Sequence, residues 1–139
     1  LVSRFAQEGW GDYARVIGYE QEASSVADAQ ANAQRNGVTN CTFVQMDLKH
    51  FAKAGSERPS VVITDPPRAG MHEDAVAELL KLAPRRIVYV SCNPASLARD
   101  GKLICAGGRY QLGRVTPVDL FPHTYHVESV AVFEEGDRR

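Results

Sequence analysis

Arg86-Ile87-Val88-Tyr89-Val90-Ser91-Cys92-Asn93-Pro94 is an apolar, β-branched run that stops at a cysteine and hands over at once to a helix start. Arg86 to Ser91 reads as a buried strand, because Ile, Val and Tyr suit a pleated surface covered on both faces. Asn93 supplies an N-cap, and Pro94 a first helical residue whose missing N–H is not needed there. That helix is expected to end at Gly107-Gly108. Working upstream, Ser60-Val61-Val62-Ile63-Thr64 is a second strand of the fully buried kind, ending at Asp65-Pro66-Pro67. A helix follows from about Glu73 to Leu82, and Pro84 marks its end.

Further back, Ala14 to Tyr19 reads as a short strand closed by Glu20. An Ala- and Gln-rich helix pattern runs from about Gln21 to Arg35 and stops at Asn36-Gly37. Cys41 to Gln45 is the next strand, ending near Asp47, and two closing strands are expected at Tyr110 to Val118 and Val127 to Phe133. Alternating strands and helices predict an α/β fold, an open sheet with helices on both faces. Such sheets bind ligands beyond the carboxyl ends of their strands. Glu20, Asp47, Asp65 and Cys92 each follow a strand. Ala52 to Pro59 reads as a polar surface turn within one domain spanning residues 1–139.

The 139 residues suffice for one real core, and 44% hydrophobic with 24% charged residues is ordinary globular composition. No apolar run is long enough to span a membrane. The opening, Leu1-Val2-Ser3-Arg4-Phe5, has no initiator Met and no signal-peptide pattern, and reads as a cut inside a longer protein. Cys41, Cys92 and Cys105 are odd in number and form no CxxC pair, which argues against a disulfide framework or zinc site and for a reducing cytosol. Cys41 and Cys105 are expected in the core. The net charge of −1 argues against a stand-alone nucleic-acid binder held by a basic surface.

Several residues could carry chemistry. Glu20 could accept hydrogen bonds from both ribose hydroxyls of a nucleotide-like cofactor, although a solvated acid at a helix start is the blander alternative. Asp47 could accept from an adenine amino group, although alone it is as well explained as a turn residue. In Asp65-Pro66-Pro67-Arg68-Ala69-Gly70 the prolines stiffen the loop that carries a buried acid, which suits a preset site. Cys92 precedes a helix N-terminus, where the dipole and free N–H groups favour a thiolate, the right nucleophile for a soft, polarised ring carbon. Glu128 opens an otherwise apolar strand, surroundings that suit a carboxylate to proton transfer near neutral pH, although an outward-facing Glu on an edge strand fits the periodicity equally well. Phe121 or Tyr125 could stack on a base, and His123 and His126 lack an evident third metal ligand, so a polar or RNA-facing role is expected and no metal site.

Three stretches carry a resemblance: Asp65 to Gly70; Arg86 to Pro94 continued by Ala95-Ser96-Leu97-Ala98-Arg99-Asp100; and Asp119-Leu120-Phe121-Pro122-His123-Thr124-Tyr125-His126-Val127-Glu128-Ser129. With Asn32 to Gly37, they make nearly the whole chain similar to the RNA (uracil-5-)-methyltransferase family, in its 23S ribosomal RNA branch. The resemblance implies a Rossmann-like S-adenosylmethionine-dependent methyltransferase sheet, N-terminally truncated. The family's first strand and Gly-rich loop have no match here, since Gly9-Trp10-Gly11 follows no strand; its upstream RNA-binding region and iron–sulfur cysteines are also absent. It implies Cys92 as nucleophile, Glu128 as general base, and Glu20, Asp47 and Asp65 as S-adenosyl-L-methionine-binding residues, with Asp65 also near the target base. Arg68, Phe121 and His123 are the candidate substrate-binding residues. The implied partner is RNA, ribosomal before transfer RNA, with part of the electrostatic grip supplied by the upstream region. The competing readings are an exocyclic-amine N-methyltransferase, whose Asp/Asn-Pro-Pro loop ends in an aromatic where this chain has Arg68, and a catalytically incomplete RNA-binding fragment.

Overall fold

The computed structural model describes residues 15–47 and 58–136, so Gly9-Trp10-Gly11, the chain start and most of the 52–59 turn lie outside the described residues. The chain divides into two compact units, residues 1–51 and 52–139.

The first unit is a strand–helix–strand motif: β1 (Val16–Glu20), α1 (Ala23–Arg35) and β2 (Cys41–Gln45). The strands pair in parallel, with Val16 opposite Cys41 and Glu20 opposite Gln45. Parallel neighbours need a crossover, which α1 supplies. The helix starts two residues later than the sequence pattern suggests, because the Glu20 carboxylate accepts from the Gln21 and Glu22 amides at 2.7 and 3.0 Å and holds that corner as a turn. It ends at Asn36 with Gly37 at φ +64°, as Asn36-Gly37 predicts. Cys41 is half-buried rather than enclosed, and burial pushes its thiol up.

The second unit holds β3 (Val61–Thr64), α2 (Glu73–Leu82), β4 (Arg86–Ser91), α3 (Pro94–Cys105), β5 (Tyr110–Val118) and β6 (Glu128–Glu135). Its sheet runs β3-β4-β6-β5; β3 and β4 are parallel, and β6 is antiparallel to both its neighbours. The core alternates along the central strands: Ile87 pairs with Phe133 and Tyr89 with Ala131, all within 1% of full burial. Leu79 of α2 and Leu97 and Ile104 of α3 complete it. Gly101 lets α3 approach this sheet closely, since a Cβ there would stand 3.1 Å from the Phe133 ring. Within this unit the fully buried positions of β4 and β6 fall on one face, and Val88, Val90, Val130 and Val132 on the other are half-buried.

β3 departs from the expectation of a fully buried strand: Val61 and Ile63 are nearly half exposed. Among the described residues β3 is an edge with β4 as its one partner, so its apolar run lacks a second neighbour. β5, the opposite edge, tolerates Pro117 for the same reason and carries a bulge between Leu112 and Val115. Tyr110 anchors its start by donating to the Pro84 carbonyl at 2.7 Å. Nearby, hydrogen bonds from Arg58 and then Arg109 hold the Glu135 carboxyl below the usual carboxylate range. α3 stops at Cys105, two residues before Gly107-Gly108; Cys105 is half-buried, not core. β6 continues past Phe133 to Glu135, because Glu134 and Glu135 stay paired with Gln111 and Tyr110.

Candidate active site

Each unit has a candidate acidic residue at or just beyond the carboxyl end of a parallel strand. In the first, Glu20 is the last residue of β1 and Asp47 lies two residues beyond β2; both are exposed. The ladder continues past the strands, with the Met46 amide donating to the Glu20 carbonyl at 2.9 Å. One Glu20 oxygen, Oε1, serves the backbone corner described above. A crevice of about 420 Å³ between α1 and β2, lined by Gln34, Val38 and Phe43 among others, contains neither acid.

In the second unit, register determines what meets what. The last β4–β6 pair is Ser91 opposite Ser129, so the next position along each strand belongs to Cys92 and Glu128. Glu128 is also paired to Val118, the end of β5. On the other flank of β4, Thr64 pairs with Tyr89, and Asp65 is the next residue of that chain. Neighbouring strands lie about 5 Å apart. Cys92 therefore follows the end of a central strand, with Glu128 opposite it on one flank and, on the other, Asp65 level with Val90, two residues before it. Cys92 and Glu128 are half-buried; Asp65 is exposed, not the buried acid expected from its sequence setting, because it leaves an edge strand.

The turn bearing Cys92 is closed on both sides. The Ser91 hydroxyl accepts from the Asn93 amide at 3.1 Å and donates to the Asn93 carbonyl at 2.9 Å. Asn93 caps α3 as predicted, accepting from the Ala95 amide at 3.1 Å, with Pro94 in the first turn. Its Nδ2 donates to the Arg68 carbonyl at 3.1 Å and so ties the Asp65–Gly70 loop to the cysteine turn. The loop itself tightens where the Gly70 amide donates to the Pro67 carbonyl at 2.7 Å.

Arg99 and Asp100, which sequence reasoning left without a role, hold that loop from behind. Asp100 is fully buried. Its Oδ2 accepts from the Met71 amide at 2.7 Å and from the Tyr89 hydroxyl, while Oδ1 accepts from Arg99 Nε and Nη2 at 2.9 and 2.7 Å. Arg99 Nη2 also donates to the Ala69 and Met71 carbonyls at 2.8 and 3.2 Å. Burial, then the hydrogen bond to Asp100, raises the Tyr89 pKa above the ordinary tyrosine range. A signal was present: Leu97, Asp100, Gly101 and Ile104 fall on the buried stripe of α3, and a carboxylate at such a spacing needs partners.

Residues 119–127 link β5 to β6 and thus rise from the Glu128 end of the sheet. The Thr124 amide donates to the Phe121 carbonyl at 3.1 Å, closing a turn with Pro122 and His123 at its centre and His123 at φ +72°. Phe121 and Tyr125 are 51% and 84% exposed, so neither is core. Both rings flank His126, with centroids 6.4 and 4.2 Å away. Arg68 and His123 are exposed as well. Among the described residues no three His, Cys, Asp or Glu side chains gather as a metal set, and no helix is long and apolar enough to cross a membrane.

The fold is that of the Rossmann-like S-adenosylmethionine-dependent methyltransferases: TrmN from Thermus thermophilus superposes with a TM-score of 0.73 at 19% identity, covering 96% of this chain and 40% of its own. More particularly, residues 55–135 match the tRNA (uracil-5-)-methyltransferase family, and the chain belongs to it. The Pyrococcus abyssi tRNA (uracil-54, C5)-methyltransferase, solved in complex with S-adenosyl-L-homocysteine, is 33% identical with a TM-score of 0.76, over 94% of this chain and 30% of that one. An uncharacterized RNA methyltransferase from Chlorobaculum tepidum is 51% identical over 128 residues, which is 88% of this chain and 26% of that protein. One from Bacteroides thetaiotaomicron is 48% identical over 138 residues, 96% of this chain and 28% of that protein. The chain thus spans just over a quarter of the length of these curated relatives.

Proposed function

We propose that the protein carrying this chain methylates carbon 5 of a uridine in RNA through a covalent adduct on Cys92. The observation that supports it most is the register that brings Cys92, just past the end of β4, opposite Glu128, the first residue of β6. Carbon 5 of uracil is too weak a nucleophile to take a methyl group unaided. Addition of the Cys92 thiolate to carbon 6 forms an S–C bond and moves the ring π electrons toward the carbon 4 carbonyl, which makes carbon 5 enolate-like. S-adenosyl-L-methionine supplies the electrophilic methyl group when bound. Glu128 then takes the proton from carbon 5, the electrons of that C–H bond restore the ring double bond, and the C–S bond breaks to return the thiolate.

The donor set suits that cofactor. Carboxylates at strand ends accept hydrogen bonds from ribose hydroxyls, an amino group or an ammonium. Glu20 and Asp47 are assigned to the nucleoside part and Asp65 to the cofactor and the target base.

A base buried in a stack cannot reach Cys92, so the uridine is flipped out or lies in a loop. The exposed Phe121 and Tyr125 rings, with the half-buried His126 between them, offer stacking surfaces beside the site, and Arg68 and His123 a cation and a polar contact. The likeness of the three motif stretches to the 23S branch favours ribosomal RNA as substrate, with transfer RNA as the alternative. With a charge of −1 on this chain, part of the phosphate grip is assigned to an upstream region of the parent protein.

The test incubates the full-length protein and S-adenosyl-L-methionine with 5-fluorouridine-containing ribosomal or transfer RNA fragments and seeks a protein–RNA adduct by mass spectrometry. Fluorine cannot leave as a proton, so the methylated adduct stalls. An adduct lost in Cys92→Ala is expected, and the RNA that forms it identifies the substrate. Methyl transfer that persists in Cys92→Ala would replace this reading with methylation of an exocyclic amine.

A further inference from the structure

Beyond the reacting groups, we infer that Arg99 and Asp100 are positioning residues that latch the 65–71 loop against the Cys92 turn. This inference rests on the function proposed above for its kinetic consequence, but not for the latch itself. The loop leaves an edge strand, and Asp65, Pro67, Arg68 and Ala69 are exposed. Prolines limit its φ angles but do not fix its position. That position depends on bonds to α3 and its cap: Asn93 to the Arg68 carbonyl, Arg99 to the Ala69 and Met71 carbonyls, and Asp100 to the Met71 amide.

The chemistry of the pair explains why these residue types are used. A fully buried carboxylate demands partners for both oxygens, and Tyr89, Met71 and Arg99 supply them. Tyr89 lies on β4, two residues before Ser91 and three before Cys92. Asp100 thus joins the strand that ends at the nucleophile to the loop that carries Asp65 through a single side chain. The guanidinium spans Asp100 and two loop carbonyls at once, which an ammonium cannot reproduce with its geometry. Gly70 completes the fit, because a Cβ there would lie 2.5 Å from Arg99 Nη2 and 2.6 Å from Asp100 Oδ2.

The experiment uses the full-length protein with Arg99→Lys and, because removing a buried charge partner can unfold a protein, Tyr89→Phe as the milder variant. Arg99 is exposed by 55%, so the lysine keeps the charge at little cost to packing. Amide exchange is followed in peptides covering 66–74, 86–91 and 128–135, together with single-turnover methyl transfer and the KM for RNA. Exchange of the 66–74 peptide is expected to rise about tenfold in Arg99→Lys and less in Tyr89→Phe, with the strand peptides unchanged. A kcat lower by about 10- to 100-fold with KM within about threefold is expected alongside. Unchanged exchange in the loop overturns the inference, as does loosening of loop and strands together, which would mean a merely structural ion pair. Loop loosening with unchanged kcat also overturns it as a positioning role. If the wild-type protein transfers no methyl to uracil, the proposed function fails, and the exchange data alone decide whether the latch exists.

Discussion

Gly70→Ala is the sharpest probe of how the site is held. Gly70 has φ +83°, a region in which an L side chain costs about 1–2 kcal/mol. The added methyl would also stand 2.5 Å from Arg99 Nη2, 2.6 Å from Asp100 Oδ2 and 3.0 Å from Ser96 Cβ. The Arg99 guanidinium can swing away only by giving up its loop bonds, and Asp100 cannot retreat cheaply, since it is fully buried and bonded to the loop backbone. Overpacking of this kind adds about 1–3 kcal/mol. The two contributions give about 2–5 kcal/mol of destabilisation before the small entropic gain from the unfolded chain. Gly108→Ala is the control: φ is +69° in the same unit, and nothing lies within 4 Å of its would-be Cβ. Both variants share the backbone cost and the unfolded-state gain, so their difference isolates the steric part at about 1–3 kcal/mol. Urea unfolding followed by far-ultraviolet circular dichroism measures it. Two variants that agree within about 0.5 kcal/mol would refute the claim that the loop is clamped against α3.

Two further outcomes follow from the same geometry. The folded pKa of Tyr89 is raised, by burial first and the Asp100 bond second, so its contribution is complete below the ordinary tyrosine range and is lost as pH rises through the folded value. Urea midpoints at about pH 8 and about pH 11 are therefore expected to fall less in Tyr89→Phe than in the wild type. Glu128→Gln is expected to leave thiolate addition intact and block proton removal, so a methylated adduct on Cys92 accumulates even with ordinary uridine RNA; turnover at the wild-type rate would remove Glu128 as the base.

Much of the element order was legible because local chemistry marks it. β2, α2, β4 and β5 occupy the residues their patterns predict, and Asn93-Pro94 and Pro84 act as the helix start and stop they suggest. Burial was less legible. Val61-Val62-Ile63 carries the composition of an enclosed strand, yet enclosure depends on neighbours that a local run does not specify. Asp65 is exposed for the same reason, and Cys41 and Cys105 are only partly covered. The role of Asp100 was hidden because an aspartate inside an amphipathic helix usually faces water. Its place beside Leu97 and Ile104 becomes informative once Tyr89 and Met71 are known to meet it.

Strand direction was the least legible property and the one on which the proposed chemistry most depends. In a wholly parallel sheet each strand presents only its last residues at the edge where such sheets bind ligands, as β3 with Asp65 does in the second unit. β6 runs the other way, so the edge receives its first residue, Glu128, and the loop that precedes it. A residue 36 positions after Cys92 becomes its neighbour (128 − 92 = 36) without any local signal in either stretch. The same reversal brings the exposed rings of Phe121 and Tyr125 to the Cys92 end of the sheet instead of the opposite end. Antiparallel insertion of one strand thus supplies, from a single connection, both the candidate base and the candidate stacking surface. Within the second unit, the candidate nucleophile follows a strand end and the candidate base opens a strand.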